Sequence, residues 1–332
     1  RSSTAGTGGN TFTVRWNYGP TGNNVTIGGG TIVKICALEM VEIPTGAFYY
    51  NIGGVGGSDY NNCGGGVQTL VDSATVSPTG AALGWPNGYT SFYSAKYEVS
   101  QQQFCDFLNT ITDTTAATFY PSWAYNQSGY LITNTGTSPL TYTTAAPNRA
   151  CNRLSWSDEA AYLSWTGLRP MTEMEFEKAA RGTISGTTNT RVYPWGDTEP
   201  SLTTGTVDDG THTIYYANYS GGSKPILVGW YLSQGYAPAN REYTGASPYG
   251  VADLAGNLFE QVINCSWTTV PSNGNGTITA PDTWPTAISN RNMRGGDFIN
   301  GAGYLRISVR SAASLWISPR DDQIGFRPAR TK

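Results

Sequence analysis

Apolar residues recur at helical spacing in three stretches of the chain, and each stretch begins with a polar residue that can cap a helix. In KYEVSQQQFCDFLNTI, the residues Phe104, Phe107 and Leu108 form an apolar stripe. The other two stretches are LSWSDEAAYLSWTG, which Gly167 ends, and RPMTEMEFEKAARG, which Gly182 ends. The caps and their partners are Ser100 with Gln103, Ser155 with Asp158, and Thr172 with Glu175. The sequence therefore predicts three well-bounded helices.

Shorter stretches alternate apolar and polar residues, which is the pattern of β-strands. TFTVRWNYG and GTIVKI predict two strands within residues 1–36, and MVEIPTGAFYYN predicts a further strand that ends in a turn. Residues 51–90 are rich in Gly, Ser and Asn and predict mostly loop. Few helices among short strands and long loops indicate an α+β fold. We expect an N-terminal β-region, or the remnant of a preceding domain, over residues 1–36, and a second domain over residues 37–332.

Composition narrows the classes of partner. Charged residues make up 13% of the 332 residues and the net charge is −3, with no basic run. Nucleic-acid binding needs clustered Lys and Arg, so it is not expected. No apolar stretch reaches the roughly 20 residues that span a bilayer, so membrane insertion is not expected either. The composition is compatible with a monomer or an oligomer.

Several motifs, in order along residues 38–330, resemble the formylglycine-generating-enzyme family. They include the first two helix openings above, GLRPMTEMEFEKAARG followed by YPWGD, YGVADLAGNLFEQV, and a closing RGG…IGFR. The resemblance implies a modified C-type-lectin fold, with few helices, short strands and long loops. In such a fold we expect Trp195 to be a core anchor, Gly256 and Asn257 to form a tight turn, and Arg327 to pair with a buried carboxylate.

The resemblance also raises the question of metal sites. Family members often hold structural calcium, and Asn218, Asn257 and Glu260 are candidate oxygen ligands, although turn hydrogen bonds without a metal explain them equally well. No other cofactor is expected to be required. The copper-dependent oxidases of the family use two cysteines shortly after the RGG, but the last cysteine here is Cys265. The iron-dependent relatives need several histidines, and His212 is the single histidine.

A non-enzymatic branch of the same fold family consists of the variable proteins of diversity-generating retroelements. This chain resembles them in the stiff RGG and IGFR ends around a mixed segment, within residues 294–327. Adenine-directed mutagenesis of Asn codons leaves such mixtures of Ile, Tyr, Asp, Ser, Val, Leu and Asn. The resemblance implies a display surface for a macromolecular ligand or a cell-surface receptor, either protein or glycan. The candidate surface residues are Asp297, Ile299, Asn300, Tyr304, Ile307, Val309, Ser311, Leu315, Trp316 and Ile317.

The residues alone do not decide which face of the 305–311 stretch is outside. Arg306, Ser308 and Arg310 alternate with Ile307 and Val309, and the two sets would lie on opposite faces of a strand. In one alternative Ile307 and Val309 belong to the core.

The main prediction is therefore a non-enzymatic binding protein, located outside the cell on a virion or cell surface. A metal-dependent oxidase and a fixed-sequence carbohydrate-binding module remain as alternatives.

Overall fold

A computed structural model describes residues 36–51, 68–78, 80–183, 191–196, 217–233, 241–310 and 320–332, apart from the side chains of residues 242 and 243. The chain divides into two compact units, Arg1–Ala37 and Leu38–Lys332. The two strands predicted within residues 1–36 lie outside the described residues. Within the described residues, no helix has both the length and the apolar character that crossing a bilayer requires.

The three predicted helices are present, and each begins at the predicted cap. Both hydrogen bonds of a capping box form at Ser100, Ser155 and Thr172, so local sequence alone sets these helix starts. Gly167 ends its helix in the left-handed conformation, at φ 69°. The helices are α1 (Gln101–Leu108), α2 (Asp113–Phe119), α3 (Trp156–Thr166), α4 (Glu173–Arg181), α5 (Trp230–Ser233) and α6 (Arg241–Thr244). Short 3-10 helices cover Ser122–Ala124, Ile288–Asn290 and Ala302–Leu305.

Within the described residues the strands are short and form four small sheets, so the predicted α+β class is confirmed. The largest sheet is antiparallel, in the order β1 (Met40–Ile43), β4 (Phe92–Ala95), β11 (Pro328–Thr331) and β7 (Arg169–Pro170). A second sheet places β8 (Phe259–Ile263) between β10 (Ile324–Gly325) and β9 (Arg291–Arg294). The remaining pairs are β2 (Phe48–Tyr50) with β3 (Thr69–Val71), and β5 (Ile132–Asn134) with β6 (Tyr142–Thr144).

Helix α4 occupies a central position, because all nine of its residues are buried. Glu175 caps the helix by accepting the backbone N–H of Thr172 at 3.1 Å. The same carboxylate binds the guanidinium of Arg169 through two hydrogen bonds, of 2.7 and 2.6 Å. Arg169 also donates to the hydroxyl of Thr331 at 2.8 Å. One capping residue therefore joins α4 to the largest sheet.

Two cysteines show what the sequence could and could not indicate. Cys105 lies in α1 and is fully buried, as expected for a small apolar residue. Cys265 is disulfide-bonded. The spacing of the five cysteines did not predict this bond, because disulfide connectivity cannot be deduced from sequence alone.

Candidate functional site

The two ends of the 294–310 segment are attached to the same helix by a buried ionic network. Arg294 on β9 binds the carboxylate of Glu173 on α4. Arg310 donates to Glu173 at 3.1 Å and to Glu177 at 2.6 Å. All four side chains are fully buried. Because Glu173 and Glu177 are four residues apart on a helix, their carboxylates lie on one face and can hold both arginines.

Glu177 gathers further donors in this network. Arg181 donates to it at 2.7 Å, and the backbone N–H of Asn51 donates at 2.9 Å. Burial alone would raise the pKa of Glu177, but Arg181, Arg310 and Arg294 together lower it below its ordinary value. The carboxylate is therefore held in its charged form, as a buried anchor for arginines requires.

The glycines of the RGG motif turn the chain sharply after Arg294. Gly295 has φ +93° and Gly296 has φ +77°, conformations that side chains rarely adopt. A Cβ on Gly296 would lie 2.9 Å from Leu305, and one on Gly295 would lie 2.9 Å from the carbonyl oxygen of Leu254. The motif therefore starts a loop that folds back closely on itself.

Asp297 organises this loop from the inside, so its prediction as a surface residue was wrong. Its carboxylate accepts the backbone N–H groups of Ile299 and Asn300, both at 2.7 Å. It also accepts the side-chain amide of Asn300 at 2.7 Å. These donors compensate for complete burial of the residue. Burial raises the pKa of Asp297, and the hydrogen bonds from Asn300 oppose that rise.

Ile307 and Val309 are also buried, so their prediction as surface residues was wrong. Ile307 is 2% exposed and belongs to a core cluster with Phe176 of α4 and Val262 of β8. Ser308 and Arg310 are buried as well. This stretch is not a strand, and it has no solvent face. Alternating side chains enter the core on both sides of the backbone.

The exposed part of the segment is the turn between Asp297 and Leu305, followed by Arg306. Ile299 is 42% exposed, whereas Asn300, Tyr304 and Arg306 are partly exposed. Backbone hydrogen bonds from Ser220 to Asn300 and from Gly221 to Ile299 support the turn. We call Ile299, Asn300, Tyr304 and Arg306 the display loop. The other candidates, Ser311, Leu315, Trp316 and Ile317, lie outside the described residues.

The IGFR end is fixed as firmly as the RGG end. Arg327 binds both carboxylate oxygens of Glu260, at distances of 2.6 to 3.0 Å, which confirms the predicted buried partner. Ile324 and Phe326, which precede Arg327, are also buried. Asn257 has φ +65° in the predicted turn before Phe259, which is buried. The RGG motif and the IGFR motif therefore both belong to the fixed scaffold.

The three candidate calcium ligands do not fit a calcium site as they are placed. Both oxygens of Glu260 bind Arg327, whose positive charge would repel a cation. The side-chain oxygen of Asn257 accepts the amide of Asn218 at 3.2 Å and the backbone N–H of Ile226 at 2.8 Å. Only the side-chain oxygen of Asn218 is buried without a hydrogen bond, whereas calcium takes about six to eight oxygens. Among the described residues, no group of three or more His, Cys, Asp and Glu could hold a metal ion.

The buried carboxyl group of Glu98 lies beside this turn, and we expect it to make the stability of the fold depend on pH. Glu98 accepts the backbone N–H of Leu258 at 3.0 Å and the side-chain amide of Asn257. Burial, followed by the neighbouring Asp253 and Glu260, raises the pKa of Glu98 well above its ordinary 4.5, although Arg327 opposes the rise. Glu98 in the folded protein therefore keeps its proton up to a higher pH than Glu98 in the unfolded chain. The free energy of unfolding then falls as the pH rises from the ordinary pKa of Glu98 towards its raised pKa.

Glu98→Gln imitates the protonated acid and should remove this part of the pH dependence. We expect the free energy of unfolding of the wild type to fall, relative to the variant, between pH of about 5 and about 8. Urea unfolding of both proteins at the two pH values measures the difference. A wild-type stability that rises relative to the variant over this range would show that Glu98 is ionised in the fold.

A model of the "Sulfatase-modifying factor enzyme 1-like domain" family matches residues 37–332. Mouse "Formylglycine-generating enzyme" is 28% identical over 324 residues, covering 89% of this chain and 76% of the relative. Mouse "Inactive C-alpha-formylglycine-generating enzyme 2" is 29% identical over 180 residues, or 53% of this chain and 47% of the relative. "Hercynine oxygenase" of Mycobacterium tuberculosis is 34% identical over 119 residues, which cover 36% of this chain and 21% of that protein.

Solved structures with similarity to the chain include PvdO from Pseudomonas aeruginosa, at 20% identity and a TM-score of 0.47, covering 91% of this chain and 98% of that one. Treponema denticola variable protein 1 matches at 16% identity and a TM-score of 0.42, covering 88% of this chain and 95% of that one. The family assignment rests on the match over residues 37–332, which includes every motif described above. The chain belongs to the sulfatase-modifying factor enzyme 1-like domain family, and its α+β fold is of the formylglycine-generating-enzyme type.

Proposed function

We propose that this chain is a non-enzymatic binding protein that presents a diversified C-terminal surface to a macromolecular partner outside the cell. The partner would be a protein or glycan on a cell surface, and the chain itself would be carried by a virion or a cell. The proposal concerns the display loop and the candidate residues Ser311, Leu315, Trp316 and Ile317, and it excludes the buried Asp297, Ile307 and Val309.

One observation carries the proposal: the segment is fixed at both ends and exposed in its middle. Arg294 and Arg310 are bound to carboxylates of α4, and Ile307 lies in the core. Between them, the display loop contains an exposed Ile and a partly exposed Tyr, supported from below by Asp297. Side chains at such positions can change without loss of the core. Apolar and aromatic residues that face solvent together are typical of interaction surfaces.

The positions of the cysteines favour binding over oxidase chemistry. The resemblance to the copper-dependent oxidases implies two thiolate ligands shortly after the RGG, where this chain has DFINGAGYLR. No cysteine follows Cys265 in the sequence, and Cys265 is disulfide-bonded. The family also includes a relative named as inactive.

We therefore expect no formylglycine formation by this protein. Incubation with Cu(I), oxygen and a peptide that carries a sulfatase cysteine motif should leave the peptide cysteine unchanged, as measured by mass spectrometry. The mouse formylglycine-generating enzyme, treated in the same way, is the positive control. Conversion in proportion to the amount of this protein would overturn the non-enzymatic assignment and favour the oxidase alternative.

The DNA around the gene tests the diversified surface directly. The proposal expects a nearby, near-identical repeat of the segment encoding residues 294–327, with adenines at the positions that differ, and a reverse transcriptase gene beside it. A single-copy segment with neither feature would contradict diversification. It would leave the fixed-sequence carbohydrate-binding alternative as the better account of the exposed loop.

A further inference from the structure

Two aromatic side chains project from the surface in a loop that the proposed function has not used. Trp123, in the 3-10 helix Ser122–Ala124, is 55% exposed, and Tyr125 is 52% exposed. Ala124 between them is fully buried and ties the loop to the core. The chain then turns through Asn126 and Ser128, both with positive φ, and the backbone N–H of Asn126 donates to the carbonyl oxygen of Tyr130 at 2.8 Å.

The exposed tryptophan is held in place before any partner binds. The guanidinium of Arg153 lies over its ring, 5.3 Å from the centroid. Arg153 in turn binds Asp322 at 3.3 Å, and Ser128 donates to the same carboxylate at 2.5 Å. Because one ring face is covered by a paired cation, the ring has little freedom to lose on binding. We call Trp123, Tyr125, Arg153 and Asp322 the Trp123 surface.

Hydrogen bonds connect the Trp123 surface to the display loop. Asn300 of the display loop donates to the side chain of Gln323 at 3.1 Å. The backbone of Gln323 donates to Asp321 at 3.0 Å, and the carbonyl oxygen of Asp321 accepts the backbone N–H of Arg153 at 3.1 Å. A single turn, at residues 321–323, therefore supports both features.

We propose that the Trp123 surface and the display loop form one binding face, and that the partner at the Trp123 surface is a polypeptide segment rich in apolar side chains. This rests on the proposed function, which it deepens by naming the class of partner. Trp, Tyr and Arg are the residue types that most often dominate the energy of protein interfaces.

The polar groups beside the ring favour a polypeptide over a sugar. Sugar recognition needs polar side chains that are available to the hydroxyl groups around a stacked ring. Here the nearest charged pair, Arg153 with Asp322, is already joined, and Ser128 binds the same carboxylate.

The test uses a phage library of random dodecapeptides, selected on the full chain. Enriched peptides are then measured against Trp123→Ala, Tyr125→Ala and Ile299→Ser variants, with Leu83→Ala as the control, because Leu83 is 86% exposed and is not part of either surface. We expect peptides rich in apolar residues that bind the wild type and the control equally. Binding should weaken at least about tenfold with Trp123→Ala, as for a residue that dominates an interface. Thermal unfolding shows whether each variant is folded. If Trp123→Ala does not fold, the loss of peptide binding is measured with Tyr125→Ala instead.

The outcomes separate this inference from the proposed function. Peptides that depend on Trp123 and on Ile299 support one shared face. Dependence on Trp123 alone would keep the Trp123 surface as a peptide site but overturn the shared face and weaken the display proposal. Dependence on Ile299 alone would retain the display loop and overturn the inference. No enrichment, or Trp123-dependent binding of cello- or chito-oligosaccharides without peptide binding, would also overturn it.

Discussion

Replacing Glu173 with Gln is expected to lower the free energy of unfolding by about 3–5 kcal/mol, the cost of breaking a buried charge pair from one side. Glu173 accepts hydrogen bonds from Arg294, Arg310 and the side-chain amide of Asn292, and all of these groups are buried. The neutral amide would leave Arg294 without its nearest counter-charge. Glu177, whose closest oxygen is 3.8 Å from Arg294, would compensate only in part.

The matched control is Glu42→Gln, which removes the same charge from a surface pair. Glu42 binds Lys332 at 2.6 Å, with both side chains more than a third exposed. Such pairs contribute about 0–1 kcal/mol, so we expect a small change. Chemical denaturation of the three proteins gives the comparison. If Glu173→Gln were no more destabilising than Glu42→Gln, the network would not be the anchor of the 294–310 segment.

Trp195→Ala is the second change with a large expected effect, about 3–5 kcal/mol for a buried tryptophan. Trp195 is 2% exposed and stacks on Tyr193, with ring centroids 5.1 Å apart and planes within 2°. It shares a cluster with Leu305, the last residue of the turn that carries the display loop. Its loss should therefore destabilise the fold and loosen the support of that turn.

Trp123→Ala removes the same side chain from an exposed position and serves as the control. We expect that variant to lose less than about 1 kcal/mol, as is usual for surface positions. Urea unfolding followed by circular dichroism would measure both variants. A loss below about 1 kcal/mol for Trp195→Ala would mean that its cavity collapses at little cost, and that the ring is not the anchor proposed from the YPWGD motif.

Local features of the fold could be predicted from the sequence because their causes are local. The capping boxes at Ser100, Ser155 and Thr172 involve residues three positions apart, and each helix begins where the pattern places it. The buried partner of Arg327 was predicted as a carboxylate, but its identity as Glu260, 67 residues away, needed the structure. Charge and burial can be expected from a motif, whereas pairing between distant segments depends on the whole fold.

The candidate surface was predicted less well, for two physical reasons. Alternation along 305–310 suggested a strand with one outer face, but the same alternation fits either face, and here both sides are buried from Ile307 to Arg310. Asp297 was placed on the candidate surface because the resemblance implies a varied segment after the RGG, yet the chain buries it and supplies it with backbone donors. The four-residue spacing of Glu173 and Glu177 was a visible signal for the network. Of its arginine partners, Arg181 is four residues from Glu177, whereas Arg294 and Arg310 lie over a hundred residues from both glutamates.

The scaffold fixes the ends of the 294–310 segment and leaves its turn free to vary. The same substitution at two isoleucines tests it. Ile299→Ser, in the exposed turn, should change the free energy of unfolding by no more than about 0.5 kcal/mol. Ile307→Ser, in the core, should cost about 2–5 kcal/mol. Equal losses for the two variants, or a larger loss for Ile299→Ser, would contradict a tolerant display loop held by a rigid scaffold.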